Sequence, residues 1–335
     1  MPDPHPYSRL TPDVVLNALD SLGMRCDGRL LALNSYENRV YQVGLEGAEP
    51  GLVVAKFYRP ARWSEAQILE EHAFAAELAE GEVPVVAPQA FNGATLHEFD
   101  GFRFAAYPRR GGRAPELDDE NVLEWLGRFI GRIHAIGATK PFTHRPRLDI
   151  ASFGVEPREF VLASGLVPHE LVEPWTQASK LALEGVRAAF DRAGDVAQIR
   201  CHGDCHPSNV LWAPASAAGP GGPHFVDLDD SRMAPAVQDL WMLISGDRAS
   251  MGRQLAVLLR GYEDFSEFDD RELALVEALR TLRLLHYCAW IARRWDDPAF
   301  PIAFPWFNTQ RYWQDRVLEL REQVAALQEP ALVPR

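Results

Sequence analysis

The stretch CHGDCHPSNVLW, residues 201–212, constrains this chain more than any other, because it gathers ionisable and metal-ligating side chains at one point. Two histidines, two cysteines, an aspartate and an asparagine lie within nine residues. The Gly203-Asp204 pair and Pro207 predict a loop rather than a strand. Such a loop fits three chemistries: a metal cage, a nucleophile with its base, or a general base beside a cation ligand.

A structural zinc site would draw on His202, Asp204, His206 and the cysteines. Such sites need four nitrogen or sulfur ligands, usually in spaced pairs. Cys201 and Cys205 have no second pair of suitable spacing downstream. A nucleophilic serine or cysteine would need an adjacent base, and no G-x-S-x-G elbow occurs here. Both interpretations are weaker than the third, and both stay open as alternatives.

Phosphoryl transfer explains more of the pattern. In kinase catalytic loops an aspartate accepts the proton of the acceptor hydroxyl, and an asparagine five positions later binds Mg²⁺. Asp204 and Asn209 have this interval. Asp227 follows a short apolar run that would form a hairpin with residues 209–212, which would bring Asn209 and Asp227 to one cation. Mg²⁺ suits these hard oxygen ligands together with substrate phosphates.

A lysine inside an apolar strand supplies the nucleotide side of this scheme. Lys56 lies in VVAKFY, where it could also be an ordinary edge residue. A kinase needs such a lysine to hold the α- and β-phosphates and a helix glutamate to orient it. Glu71 falls on the apolar face of the next predicted helix, where a charge needs a partner. Glu70 is the alternative if the helix phase differs by one residue.

Local patterns divide the chain into a mixed first part and a mostly helical remainder. Apolar alternation predicts strands over residues 39–45, 51–58, 84–93 and 101–108. A helix over 63–83 begins with the capping pair Ser64 and Gln67 and ends at Gly81. Apolar periodicity predicts further helices over 119–138, 170–193, 235–262, 270–295 and 310–328, the last with Leu318, Val324 and Leu327 as its apolar face.

Composition restricts the partners. The chain has 47 acidic and 34 basic residues, a formal net charge of −13, which argues against nucleic-acid or anionic-membrane partners. The four cysteines do not suggest a disulfide framework. Neither a signal peptide nor a run of eighteen apolar residues is visible, so we expect a cytoplasmic protein. The oligomeric state is left open, with a monomer favoured.

Beyond single motifs, the chain resembles a known family. The pieces VVAKFY, HGDCHPSNVLW and FVDLDDSRMAPAVQDLWML are similar to the aminoglycoside phosphotransferase and choline-kinase-like branch of the protein-kinase-like fold. LNSYENRVYQV and KFYRPARWSEAQILEEH resemble, more narrowly, the bacterial stress response kinase A family. The resemblance implies a two-lobed α+β fold. A nucleotide-binding N-lobe with a small antiparallel sheet spans 1–107, a hinge spans 108–113 and a larger helical C-lobe spans 114–335.

The resemblance also implies roles for particular residues. Asp204 matches the catalytic aspartate. Asn209 and Asp227 match the Mg²⁺ ligands, with Asp227 counted among the catalytic residues. Lys56 and Glu71 match the ion pair that positions the ATP phosphates.

Three further positions follow from the same resemblance. Ser35 falls in the loop that covers the ATP phosphates, although NSYENR contains no glycine. Tyr107 begins the hinge, Tyr107 to Gly111, whose backbone would bind the adenine edge. Asp239 matches an aspartate that braces the catalytic loop, and it could equally be a helix N-cap.

Asp229 and Asp230 could tune a second Mg²⁺ or cap the next helix, and we favour the cap.

The function that follows is an ATP- and Mg²⁺-dependent kinase acting on a hydroxyl, with a protein serine or threonine as the expected acceptor. A small-molecule kinase of the aminoglycoside, choline or homoserine kinase type is the alternative. A nucleotide-binding pseudokinase scaffold is an alternative of another class. For the acceptor site, Arg293, Arg294, Trp295 and Trp306 could border the cleft, or this segment could be a core helix with a proline-rich wrap.

Overall fold

The computed structural model describes residues 5–47, 51–215 and 221–334. Parts of the two predicted hairpin connections, residues 48–50 and 216–220, lie outside the described residues, as do residues 1–4 and 335. The strands are β1 (Cys26–Ala32), β2 (Arg39–Leu45), β3 (Leu52–Phe57), β4 (His97–Phe99), β5 (Phe102–Pro108), β6 (Ile199–Cys201), β7 (Val210–Ala213), β8 (Gly222–Phe225) and β9 (Arg232–Ala234).

The α-helices are α1 (Pro12–Asp20), α2 (Glu65–Glu80), α3 (Glu120–Gly137), α4 (Glu156–Ala163), α5 (His169–Ala193), α6 (Arg248–Tyr262), α7 (Val276–Ala292), α8 (Ala299–Ala303) and α9 (Gln310–Ala326). None of the helices in the described part of the chain has the length and apolar character that a membrane span requires.

Two compact units share the chain. Within the described residues, the first comprises the chain up to 115 together with 142–145 and 207–231, and the second comprises 116–141, 146–206 and 232 onwards. The division into lobes at residues 107 and 114 stays a prediction.

The first unit contains an antiparallel sheet of order β1-β2-β3-β5-β4. Because side chains alternate along a strand, β3 turns Val53, Ala55 and Phe57 toward the core formed with α1. Val54 and Lys56 point to the opposite face, where they line a pocket. The predicted hairpin is confirmed, with Val40 opposite Lys56. The alternation thus explains how a lysine in an apolar strand comes to face the pocket.

One strand prediction in this unit is wrong, and two strands of the sheet were missed. Residues 84–93 do not form a strand, because Pro84 and Pro88 remove backbone donors; Val85 makes only an isolated bridge to Phe225. The edge strands β1 and β4 were not predicted: β1 is mostly exposed and β4 has three residues. The capping box of Ser64 and Gln67 and the end of α2 at Gly81 are confirmed.

The second unit is mostly helical, and three of its predicted helices need correction. Residues 236–239 and 241–243 form 3₁₀ turns, and α6 begins only at Arg248, after Asp247 caps it. Residues 270–275 are likewise a 3₁₀ helix before α7. In α9 the predicted face is wrong at Leu318, which is 56% exposed, whereas Leu327 is buried as predicted. Trp313, Val317 and Leu320 are the other buried residues of this face. Leu318 and Val324 cannot share a face, since six residues correspond to about 240° around a helix.

Candidate active site

A buried lysine lies on the pocket wall of the first unit. The Lys56 side chain is only 7% exposed. Its Nζ lies 3.1 Å from Asp229 Oδ1, 3.2 Å from Asp227 Oδ1 and 4.0 Å from Glu71 Oε1. A buried charge is tolerated when it is paired, and here three carboxylates surround one ammonium group.

The electrostatics of this cluster keep the lysine charged. Burial alone would lower the pKa of Lys56, but the carboxylates of Asp229, Glu71 and Asp227 outweigh it and hold that pKa well above its ordinary value. Burial raises the pKa of Glu71 to about 7 against the attraction of Lys56. For Asp229, burial is outweighed by Arg62 and Lys56, which lower its pKa to about 2. Lys56 is therefore a permanent cation at neutral pH.

The glutamate beside Lys56 is Glu71 rather than Glu70. Glu71 lies on the buried face of α2 and is 3% exposed. Glu70 points elsewhere and accepts backbone N–H groups of His144 at 2.8 Å and Arg145 at 2.7 Å. Adjacent residues on a helix differ by about 100°, which is why one glutamate meets the lysine while its neighbour fixes residues 143–145.

The two aspartates of the turn after β8 have different environments. Asp227 has a left-handed backbone with φ of 59° and a side chain that is 54% exposed. Asp229 lies two residues further, in a 3₁₀ turn over Leu228–Asp230, and its side chain is 3% exposed. The interpretation of Asp229 and Asp230 as a helix cap is wrong, because both carboxylates form ion pairs with Arg62.

Arg62 is a site residue that the sequence did not reveal. Its guanidinium pairs with Asp229, lies 2.9 Å from Asp230 Oδ1 and lies 3.8 Å from Glu37 Oε1. Burial would lower the pKa of Arg62, but the attraction of Asp229 and Asp230 raises it above its ordinary value. The Asp229 carboxylate thus bridges two cations, Lys56 and Arg62.

The Arg145 side chain fixes the same turn by donating hydrogen bonds to backbone oxygens of the turn. It is 4% exposed, and its Nε donates to Ser231 O at 2.7 Å while its Nη2 donates to Asp229 O. Its Nη1 donates to Gln67 O at 3.3 Å, and its guanidinium lies 4.4 Å from the centroid of the Trp63 ring. A planar guanidinium with five donors suits this multiple contact. Arg145 therefore ties the aspartate turn to α2.

The pocket in the first unit has a volume of about 300 Å³, the lower end of the range for small-molecule sites. It is lined by six of the predicted site residues: Ser35, Lys56, Glu71, Tyr107, Asn209 and Asp227. Apolar side chains such as Val40, Val54 and Leu211 form much of the rest. The structure therefore brings these six residues to one pocket, although they come from distant parts of the sequence.

Two of these residues are held by hydrogen bonds of their own. Ser35 Oγ donates to Asn38 O at 3.1 Å, which closes the β1–β2 turn without a glycine. The hydroxyl oxygens of Tyr107 and Tyr58 lie 2.8 Å apart, and Tyr58 Oη lies 2.7 Å from His72 Nε2.

The predicted hairpin between β7 and β8 is confirmed, with Val210 opposite Phe225, so Asn209 stands next to this pair.

The second unit holds the predicted base. Asp204 forms an ion pair with Arg283 of α7, and His206 Nε2 lies 3.4 Å from Asp204 Oδ2. Asp239 accepts the backbone N–H groups of His202 at 2.7 Å and Gly203 at 2.8 Å. Gly203 has φ of 85°, which favours glycine. Asp239 therefore braces the loop and is not a helix cap.

A second buried acid supports this brace. Glu272 is 3% exposed, and its Oε2 accepts the backbone N–H of Val237 at 2.8 Å. Burial raises the pKa of Glu272 to about 7. His134 Nε2 lies 3.0 Å from Asp239 Oδ2 on the other side. Asp239 is thus fixed both by His134 and by the turn that Glu272 holds.

The structure does not support the zinc alternative. Among the described residues, the group of possible ligand atoms that lie within 4.8 Å of one another is His134, Cys201 and Asp239. Only Cys201 of this group belongs to the predicted set, which was His202, Asp204, His206 and the cysteines. Burial raises the pKa of the Cys201 thiol well above its ordinary value. A protonated thiol is a poor zinc ligand, because the thiolate is the form that binds metal.

A known protein family matches most of this chain. The model of the phosphotransferase enzyme family matches residues 29–276. The chain belongs to this family. It is 45% identical to stress response kinase A of Escherichia coli (strain K12) over 326 residues, which cover 97% of this chain and 96% of that protein. It is 44% identical, with the same coverage, to the serine/threonine protein kinase RdoA of Salmonella typhimurium (strain LT2).

Solved structures of other kinases share the fold. Amicoumacin kinase hAmiN is similar with a TM-score of 0.70 at 16% identity, covering 96% of this chain and 95% of that chain. A microcompartment-associated aminopropanol kinase is similar with a TM-score of 0.67 at 18% identity, covering 93% and 96%. The predicted kinase-like fold class and the resemblance to stress response kinase A are confirmed, and the chain is a kinase.

The two aspartates of the turn, Asp227 and Asp229, should contribute very differently to the stability of the folded chain. Asp229→Asn removes the carboxylate that pairs with both Lys56 and Arg62, so we expect a loss of about 3–5 kcal/mol of unfolding free energy. Asp227→Asn, at the more exposed position, should change it by less than about 1 kcal/mol. Chemical denaturation of the three proteins measures this difference. Equal destabilisation by both substitutions would contradict the described environments.

The brace should give a pH-dependent stability. Because the pKa of Glu272 is raised from 4.5 to about 7 in the folded chain, the folded state binds more protons in that window, and stability should fall as pH rises through it. Glu272→Gln should flatten this part of the melting temperature profile between pH 5 and pH 8. Glu267→Gln, at an exposed position, is the matched control and should keep the wild-type slope. An unchanged slope in Glu272→Gln would sink this interpretation.

Proposed function

We propose that this kinase transfers the γ-phosphoryl group of ATP, with Mg²⁺, to a serine or threonine hydroxyl of a protein. The observation that carries the proposal is the Lys56 cluster on the wall of a pocket of about 300 Å³. A fixed ammonium that faces a pocket with two further oxygen ligands is the arrangement that phosphate binding requires.

In this proposal Lys56 holds the α- and β-phosphates, and Glu71 orients it. Ser35 and the backbone of its turn cover the phosphates in place of a glycine loop. The backbone from Tyr107 onwards binds the adenine edge, and the apolar side chains Val40 and Val54 contact the base. The position of these residues around one pocket supports the assignment.

The chain offers suitable ligands for the metal. Asn209 and Asp227 both line the pocket, and the hydrogen bond from Val226 N to Asn209 O, 3.0 Å long, joins their two segments. An amide oxygen and a carboxylate are the hard donors that Mg²⁺ prefers. When bound there, Mg²⁺ would neutralise charge on the β- and γ-phosphates.

Asp204 takes the acceptor proton. The acceptor oxygen forms a bond to the γ-phosphorus, the bond from that phosphorus to the bridging oxygen breaks, and ADP leaves with the electron pair. The hydroxyl proton passes to the Asp204 carboxylate. Asp239 acts indirectly, because it fixes the backbone of His202 and Gly203 just before Asp204.

The relatives support a protein acceptor. The serine/threonine protein kinase RdoA of Salmonella typhimurium matches over 97% of this chain. The amicoumacin and aminopropanol kinases are less than 20% identical to it, so they support the fold and not the acceptor. The cytoplasmic location and the monomeric state stay predictions.

Substitution of the two proposed catalytic aspartates tests the function. Asp204→Ala and Asp227→Ala should each reduce transfer of labelled γ-phosphate to serine or threonine of an acceptor protein by about 100-fold or more. Asp191→Ala, at an exposed position of α5, is the control and should retain activity. Phosphoamino-acid analysis identifies the labelled residue.

Three outcomes would contradict the proposal. Persistent transfer in both variants would remove the assigned roles. Label found only on added small alcohols would favour the small-molecule kinase. Nucleotide binding without ADP release in the wild type would favour the scaffold interpretation.

A further inference from the structure

We propose that the exposed face of α7 that begins at Arg283 binds acidic residues of a polypeptide acceptor next to the target hydroxyl. This inference rests on the proposed function, because it assumes that Asp204 receives the hydroxyl proton. It specifies what the acceptor must carry: a carboxylate or phosphate side chain close to the serine or threonine that is phosphorylated.

The first observation is the ion pair of Arg283 with Asp204. Both residues belong to the second unit, and the Arg283 side chain is 41% exposed. A guanidinium has five N–H donors in a planar fork, so Arg283 can contact Asp204 and an acceptor anion together. An acid of the acceptor bound there would lie within one side-chain length of the carboxylate that takes the proton.

The second observation is the stripe of side chains along α7. Arg283, His286, Tyr287 and Trp290 are partly exposed, and their helical spacing places them on one face. The rings of Tyr287 and Trp290 are stacked with centroids 5.7 Å apart. The Arg294 guanidinium lies 5.4 Å from the centroid of Trp290. The stripe thus has an arginine at each end and aromatic rings between them.

A third cation lies near the Arg283 end. Phe153 stacks on His286 with centroids 4.4 Å apart, and the Arg232 guanidinium lies 4.5 Å from the centroid of Phe153. Arg232 stands opposite Cys201 in the β6–β9 ladder, three residues before Asp204. Arg232 is 5% exposed, so it adds positive charge beside the predicted catalytic loop but does not itself contact an acceptor.

These features favour an extended acidic peptide over other acceptors. A cationic acceptor would be repelled by the arginines. A small anion could bind Arg283 but would not extend to Arg294, the cation at Trp290. Seven residues of helix correspond to about 10 Å, which an extended peptide spans in about three residues. We therefore expect one acidic preference beside the target hydroxyl and a second about three residues away.

A positional peptide library around a fixed serine or threonine tests this inference on the full-length protein. For the wild type, an Asp, Glu or phosphoserine beside the target should raise kcat/KM about tenfold over Ala at the same position. Arg283→Gln should abolish that preference, mainly through KM. Arg283→Lys should keep part of it, because the charge remains. Arg294→Gln should weaken only the more distant preference.

The matched control is Arg311→Gln, which removes the same charge from an arginine of α9 that is 91% exposed. It should show the wild-type peptide profile. A merely structural role for Arg283 would lower activity on acidic and neutral peptides equally, and that result would overturn the inference. So would a wild-type preference for basic or neutral residues at both positions.

Failure of the proposed function gives a different result. In that case the wild type would transfer phosphate to none of the peptides, whatever their charge. A third result would be selective phosphate transfer to a small anionic alcohol that Arg283→Gln abolishes and Arg294→Gln leaves unchanged. That result would indicate a small-molecule acceptor and would contradict the proposal that a peptide binds both ends of the stripe.

Discussion

The ion cluster around Lys56 is the interaction on which the rest of the first unit depends. A lysine whose side chain is 7% exposed would lose its charge without partners, and three carboxylates within 4.0 Å of its Nζ prevent that loss. Asp229 also pairs with Arg62, so its negative charge is shared between two cations. Asp227 is the more exposed member, at 54%, and is the carboxylate that a metal ion can reach. The cluster thus contains a buried acid, Asp229, and an exposed one, Asp227, to which the proposed function assigns the metal.

The sequence revealed the parts of this cluster that break a local pattern. Lys56 interrupts an apolar strand, and Glu71 interrupts the apolar face of α2, so each charge predicts a partner. Arg62 and Arg145 lie in polar segments where an arginine is ordinary. Their partners at Asp229 are 167 and 84 residues away in the sequence, and only the tertiary structure brings them together. The contact of Arg283 with Asp204 was not predicted for the same reason, because these two residues are 79 positions apart in the sequence.

The fold was predictable where hydrophobic periodicity was strong and unpredictable where it was weak. The β2–β3 hairpin, the capped helix α2 and the helix α3 follow directly from spacing and capping residues. The edge strand β1 is mostly exposed, so it leaves no alternating pattern. The prolines of residues 84–93 act against a strand despite their apolar neighbours. In α9 the buried face includes Tyr312 and Trp313 at its start, and the prediction from Leu318, Val324 and Leu327 left these aromatic residues out.

The most direct test of the central claim is the affinity of Lys56→Met for a non-hydrolysable ATP analogue with Mg²⁺ and, separately, for adenosine, by calorimetry. If Lys56 holds the phosphates, the variant should lose affinity for the analogue by about tenfold or more, since a charge-assisted hydrogen bond is removed. Its affinity for adenosine should match that of the wild type, which also shows that the pocket is intact. Equal affinity of both proteins for the analogue would contradict the role of the Lys56 cluster as the phosphate site.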